Sequence, residues 1–260
     1  MLTEPVINWV LRWWSGQVNG SFGKNPPPPQ TNPDMPRCYF ADSYWYSRMV
    51  GEDGFSYDNI KRWTNPSAIL QNDLILIPIH IPARTHWALA VIDFNRNSTV
   101  VYDSFEQDVT RNTLQPAHPE IHDNLLAWLA CVHQDQKSPF HPQAWKTINP
   151  FSNKQPTPQQ GTRRSPGVHC GVFVLAFAMY LSTNRPLQFG QSDIPSLRNW
   201  IVATMIHYGM GNNTFAPLRD TSADGNMARW TSLMRDYSGH PPDDKRKGGD
   251  KLLRPRKYSD

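Results

Sequence analysis

The sequence predicts an α+β domain, a central sheet flanked by helices. Three observations carry that prediction. Helical patterns come first, a block of three apolar strands follows, and helical patterns return. Residues 172–181 are ten consecutive apolar or aromatic side chains, too many for a typical strand of about 4–8 residues and without the polar stripe of a surface helix, so they read as a buried helix. At 260 residues, 38% hydrophobic and 12% aromatic, the chain can bury one large core, while 24 prolines call for long loops as well.

Residues 4–15 read as an N-terminal helix, with Glu4 at its positive end and Pro5 in the first turn. Residues 17–37, with Asn-Gly and Pro26 to Pro29, read as a surface loop that is partly polyproline II. Tyr39 to Val50 resumes a helical, aromatic-rich pattern, and Tyr57 to Trp63 gives a short second helix. Leu74 to Ile79, Trp87 to Phe94 and Thr99 to Asp103 are strands, the last two joined as a hairpin by Asn95 to Ser98. A helix is expected over His118 to His133, burying Leu125, Leu126, Trp128, Leu129 and Val132. Ala144 to Ile148 fits a fourth strand, and Gln155 to Ser165 is a polar loop leading to the helix that Cys170 begins. Ser192 to Tyr208 reads as a closing helix capped by Asp193 or Ser192. No internal repeat is found.

Composition removes several function classes. Cys38, Cys131 and Cys170 are an odd set without CxxC spacing, which argues for a reducing compartment and against a structural zinc. No apolar run reaches membrane-spanning length, and the start lacks the layout of a signal peptide. An intracellular protein is expected, in nucleus or cytoplasm. The net charge is +4, but residues 243–260 carry seven Lys/Arg and four Asp, so the body is nearly neutral. That weakens a nucleic-acid-binding reading, and none is expected. A short basic tail more often solubilises or targets to the nucleus.

Cys170 falls in the first turn of the buried helix, where backbone N–H groups and the helix dipole favour a negatively charged sulfur. A cysteine nucleophile needs a base and a group to orient it. His86 opens one strand of the hairpin and Asp103 ends the other, which puts both at the same edge of the sheet. Asp103 then accepts the imidazole N–H and holds the other ring nitrogen toward Cys170. Taken singly, Cys170 fits a small core residue, His86 a solvated loop histidine and Asp103 a turn cap.

The stretch from Leu74 to Phe105, LILIPIHIPARTHWALAVIDFNRNSTVVYDSF, resembles the core of the Ulp/sentrin-specific (SUMO) cysteine proteases: an apolar strand ending in Pro, then His-Trp-Ala/Cys-Leu, Ile-Asp and Tyr-Asp-Ser. Upstream, Tyr57 to Thr64 resembles the family's Tyr-x-x-Val-Lys/Arg-Arg-Trp segment, and Leu2 to Asn8 its Leu-Asn-Asp-x-x-Ile-Asn helix start. Downstream, Pro158-Gln159-Gln160 and the run from Gly167 to Phe173 resemble Pro-Gln-Gln and Gly-x-Asp-Cys-Gly-x-Phe/Tyr. The blocks keep the family order His, Asp, Gln, Cys, unlike papain, where Cys comes first. They imply a catalytic domain over 1–212, with an insertion at about 17–37, and an extension over 213–260 whose tail, from about residue 238, is expected to be disordered.

The resemblance implies a papain-like fold of the Ulp/adenain type, a mostly antiparallel sheet, and a monomer that needs no cofactor or metal. It implies His86, Asp103, Cys170 and Gln160 as catalytic residues, Gln160 and the Cys170 N–H serving the oxyanion. Trp87 would wall a narrow tunnel over the substrate's Gly-Gly tail, with Gly167, Arg62 and Trp63 on the substrate-binding side; Trp63 equally suits the core. Three departures stand out. Gln160 lies ten residues before Cys170 where the family has six, so that Arg164 falls at the usual Gln position and Gln159 is an alternative donor. His169 replaces the usual Asp, and Met1 falls where a tunnel Trp normally stands. The substrate implied is SUMO. NEDD8 and ubiquitin remain open, as does a relative that grips the modifier without cutting it.

Overall fold

The computed structural model describes residues 2–19, 34–63, 65–104, 118–148, 150 and 169–209. Helix α1 (Glu4–Asn19) leads to strand β1 (Cys38–Phe40), helix α2 (Tyr44–Met49) and a small hairpin of β2 (Val50–Gly51) and β3 (Gly54–Phe55). Two single-turn helices, α3 (Asp58–Lys61) and α4 (Pro66–Ile69), precede the long strands β4 (Leu74–Ile81) and β5 (His86–Asp93). Strand β6 (Ser98–Tyr102), helix α5 (Pro119–Asp135), strand β7 (Lys146–Ile148) and helices α6 (Cys170–Ser182) and α7 (Ile194–Gly209) complete the described chain.

The main sheet has the order β1-β4-β5-β6-β7. Its long pairings, β4 with β5 and β5 with β6, are antiparallel, and the three-residue edge strands β1 and β7 are parallel to their neighbours. Both faces are buried, and the two-residue period of a strand divides the side chains between two cores. Leu74, Leu76, Trp87, Leu89, Val91 and Val100 pack with α1, α6 and α7. Ile75, Ile77, Ile79, Ala88, Ala90, Ile92 and Val101 pack with α2 and α5. That is why β4 and β5 read as unbroken apolar runs rather than alternating ones.

Pro78 inside β4 is compatible with this pairing. Leu76 accepts from Ala41 N–H and Leu74 N–H donates to Arg37, so even-numbered residues of β4 turn their backbone groups toward β1. β1 has ended opposite Leu76, and a proline at 78 therefore costs no ladder bond. Helix α6 is buried over its whole length save Leu181, as its composition predicts.

Several boundaries differ from expectation. The expected helix at Tyr39 to Val50 is shorter, because Cys38 to Phe40 pair with Leu74 to Leu76 and the Asp42 carboxylate then takes Tyr44 N–H at 2.9 Å, turning the chain into α2. The expected second helix contracts to α3, while α4 is additional, capped by Asn65, whose side chain accepts from Ser67 and Ala68 N–H. Leu126 is only partly buried, whereas Ile121 and His122 are buried. Asp193 does stand before α7, but its carboxylate accepts Gly190 N–H at 2.8 Å and so closes the preceding turn. Among the described residues no helix is long and apolar enough to cross a membrane. The Pro-rich stretch from Pro26 to Pro29, the polar loop 155–165 and the chain after Gly209 lie outside the described residues.

Candidate active site

His86 is the first residue of β5, and Asp103 follows the last residue of β6. Leu89 pairs with Tyr102, so continuing the register sets Asp103 opposite Ala88 and makes it a diagonal, same-face neighbour of His86. The side chains close that diagonal: His86 Nε2 lies 2.6 Å from Asp103 Oδ1. Both residues are buried, at 3% and 4% exposure. The turn feeding His86 is strained, since Thr85 has φ +48° and ψ +50°, a conformation unfavourable for a β-branched residue.

Cys170 arrives from a different direction, as the first residue of α6 and with no exposed surface. Val172 and Phe173 N–H both donate to the His169 carbonyl, at 2.9 and 3.1 Å, so the Cys170 and Gly171 N–H groups belong to the first turn, where donors point out of the helix end. Gly171 lets α1 come close. A Cβ placed there would be 3.0 Å from Leu2 Cβ and 3.3 Å from Ile7 Cδ1.

The electrostatics of His86 follow from these neighbours. Burial alone drives the imidazolium to give up its proton. Hydrogen bonds to Asp103 and Cys170, reinforced by their charges, outweigh burial and raise its pKa to about 9. The imidazolium is thus the charge state of His86 near neutral pH.

The surroundings of the other two cysteines disfavour a thiolate. Burial, then the charges of Asp73 and Asp93, pushes the Cys38 thiol well up, and its Sγ donates to the Pro36 carbonyl at 3.4 Å. Cys131 is likewise raised, by burial and then by Asp135 and Asp58. His169, standing where the resemblance leads one to expect a carboxylate, has its pKa lowered by burial and by the Arg198 charge. It is neutral near pH 7.

The remaining expected residues are scattered. Trp87 is 1% exposed and packs its ring 4.8 Å from His80, within the core between the sheet and α6. Arg62 is exposed at the end of α3, and Trp63 is 48% exposed with the Arg48 guanidinium 4.0 Å above its ring, so Trp63 is a surface residue and not a core one. Gln160, its alternative Gln159, and Gly167 lie outside the described residues. One neighbour of the site was not foreseen. His118, the residue before α5, places Nε2 3.0 Å from Asp103 Oδ2. Its sequence signal is faint, because no spacing rule links a histidine before a helix to an aspartate fifteen residues upstream.

A buried imidazole held by a carboxylate and bonded to a thiol at a helix start, in a layered α+β domain, defines a cysteine-peptidase type of site. A family described as the Ulp1 protease family, C-terminal catalytic domain, matches residues 21–207. The sentrin-specific protease 3 of Mus musculus is 31% identical over 171 residues, 66% of this chain and 26% of that protein. A sentrin-specific protease of Caenorhabditis elegans is 28% identical over 208 residues, 79% of this chain and 25% of that protein. The chain therefore spans about a quarter of these relatives' length. The C-terminal Ulp1 protease domain solved in complex with Smt3, the yeast ortholog of SUMO, superposes with a TM-score of 0.55 at 20% identity, covering 79% of this chain and 76% of that one. The Ulp1-like SUMO protease catalytic domain of Chaetomium thermophilum gives a TM-score of 0.55 at 21% identity, with 79% and 72% covered. At such identities these structures show the fold. The chain belongs to the Ulp1 protease family.

Proposed function

We propose that this chain is a cysteine isopeptidase that cleaves after the C-terminal Gly-Gly of a ubiquitin-like modifier, SUMO first, and releases it from target lysines. The observation that carries the reading is the His86–Asp103 contact of 2.6 Å beside a hydrogen-bonded Cys170 at the start of a buried helix. The Cys170 sulfur attacks the carbonyl carbon of the terminal glycine, and the tetrahedral oxyanion takes the Cys170 N–H and, in this reading, the Gln160 amide. As that intermediate collapses, the C–N bond breaks and His86 passes its proton to the leaving lysine amine. Water, deprotonated by His86, then hydrolyses the thioester and frees the carboxylate and the thiol. Asp103 keeps the imidazole oriented throughout. No step calls for a metal or cofactor.

The catalytic domain is taken as 1–212 and the extension as 213–260. Trp87, Arg62, Trp63 and Gly167 are assigned to the modifier-facing side. The exposure of Trp63 favours that placement, whereas Trp87 must uncover part of its ring to touch a Gly-Gly tail. A nuclear or cytoplasmic site of action fits three cysteines of which none is in a disulfide.

The test is a reaction of the purified chain with SUMO, NEDD8 and ubiquitin, each ending in a vinyl-type electrophile, beside Cys170→Ala. An adduct with SUMO that vanishes in the variant is expected. An adduct with NEDD8 or ubiquitin alone would move the substrate and keep the chemistry. No adduct from folded protein would sink the enzyme reading in favour of a binding relative.

A further inference from the structure

Asp103 is gripped from two sides. Its Oδ1 faces His86 Nε2 at 2.6 Å and its Oδ2 faces His118 Nε2 at 3.0 Å. A carboxylate turns easily about its terminal bond, and one oxygen alone does not fix where the other points. A second donor on the other oxygen does.

His118 is itself built into place. Its side chain is 9% exposed, and its other ring nitrogen, Nδ1, lies 3.4 Å from Glu120 Oε1. Its backbone is left-handed, with φ +56° and ψ +59°, a costly conformation for a residue with a side chain. Pro119 follows as the first residue of α5, and the His118 carbonyl accepts Ile121 N–H at 2.9 Å, so the helix start holds that conformation. Strain kept at a residue whose ring meets the orienting aspartate points to a role in the site.

We propose that His118 is a positioning residue for the reaction: it clamps Oδ2 of Asp103 so that Oδ1 stays on His86 and the His86 ring stays turned to Cys170. This rests on Cys170 being the nucleophile. The chain of contacts runs Glu120, His118, Asp103, His86, Cys170, and joins the start of α5 to the start of α6 across one end of the sheet.

Two substitutions separate the clamp from the backbone it sits on. Asparagine tolerates the left-handed backbone, but its amide reaches only the level of Nδ1. Glutamine can place an amide N–H where Nε2 donates. The readout is the rate at which iodoacetamide alkylates Cys170 near neutral pH, where the S–C bond forms as iodide leaves, followed by mass spectrometry of the Cys170 peptide. It needs no modifier, so it stands even if no ubiquitin-like substrate is cut. His118→Asn is expected to slow alkylation about tenfold, as for the loss of a buried hydrogen bond to a charged group, with His118→Gln within about threefold of wild type. Where a modifier is turned over, the same loss is expected in kcat with KM unchanged. An Asn variant within threefold of wild type, or Asn and Gln variants slowed alike, would overturn the proposal. So would a lower melting temperature with unchanged alkylation, which would make His118 a structural residue only.

Discussion

His86 receives its two partners by different routes. Asp103 comes from the adjacent strand, seventeen residues away, and its position is set by hydrogen-bond register. Cys170 comes from a helix 84 positions further along, and its position is set by how α6 packs between the sheet, α1 and α7. Register moves only in whole residues, and a slip of one would turn every side chain to the other face. Helix packing shifts in tenths of an ångström. The carboxylate side of the site is therefore robust to core substitutions, and the thiol side is adjustable by them.

The largest effect expected is on the thiol itself. Cys170→Ser should reduce cleavage of a SUMO conjugate by about 10⁴-fold or more while leaving the melting temperature within a few degrees of wild type. Residual turnover above a hundredth of wild type would take Cys170 out of the nucleophile's place.

Asp103→Asn tests the register side. It should lower kcat by about 10²–10⁴-fold, and it should also move the alkaline limb of the pH profile. In the wild type that limb is expected near pH 9, where His86 loses the proton the leaving amine needs. Without the Asp103 charge the limb falls toward the ordinary histidine value of 6.5. Stability has a matching sign. His86 binds its proton more tightly folded than unfolded, so its contribution is complete below pH 6.5 and is lost as the pH rises through about 9. Thermal melts of wild type and Asp103→Asn across that window should converge at its alkaline end. Parallel curves would refute the linkage.

Gly171→Ala probes the packing side. The new methyl must displace Leu2 or Ile7, at a cost of about 1–3 kcal/mol, and it pushes on the turn that carries Cys170. Slower alkylation of Cys170 with an unmoved alkaline limb would sharpen the contrast between the two routes. A shifted limb would break it, because the thiol and carboxylate sides would then be coupled. The smallest effect is expected at the surface. Trp63→Ala should raise KM for a SUMO conjugate by about tenfold at unchanged kcat, if the exposed indole meets the modifier. An unchanged KM would return Trp63 to a simple partner of Arg48.

The same contrast decides what was legible in the sequence. The hairpin from His86 to Asp103 could be read from apolar runs, a turn and strand ends, because each of these is local. The burial of α6 was equally plain in ten apolar residues. Tyr39 and Phe40 read as helix because a three-residue edge strand has no period of its own and exists only through Leu74 to Leu76. The tunnel role of Trp87 comes from the family resemblance alone, while its strand parity sets the ring against the α6 core. His118 was assigned to a helix start, as α5 bears out, but its bond to Asp103 depends on how the chain returns to the sheet, and no local rule encodes that.

The burial of α6 also bears on how activity is lost. A helix with nearly every side chain in the core cannot detach without exposing that core, so its amides should exchange with solvent only when the whole domain opens. The sulfur at its head is then held by the most cooperative part of the fold. On heating, the reactivity of Cys170 should persist up to the melting transition and vanish within it, with no earlier stage in which an intact domain has lost it.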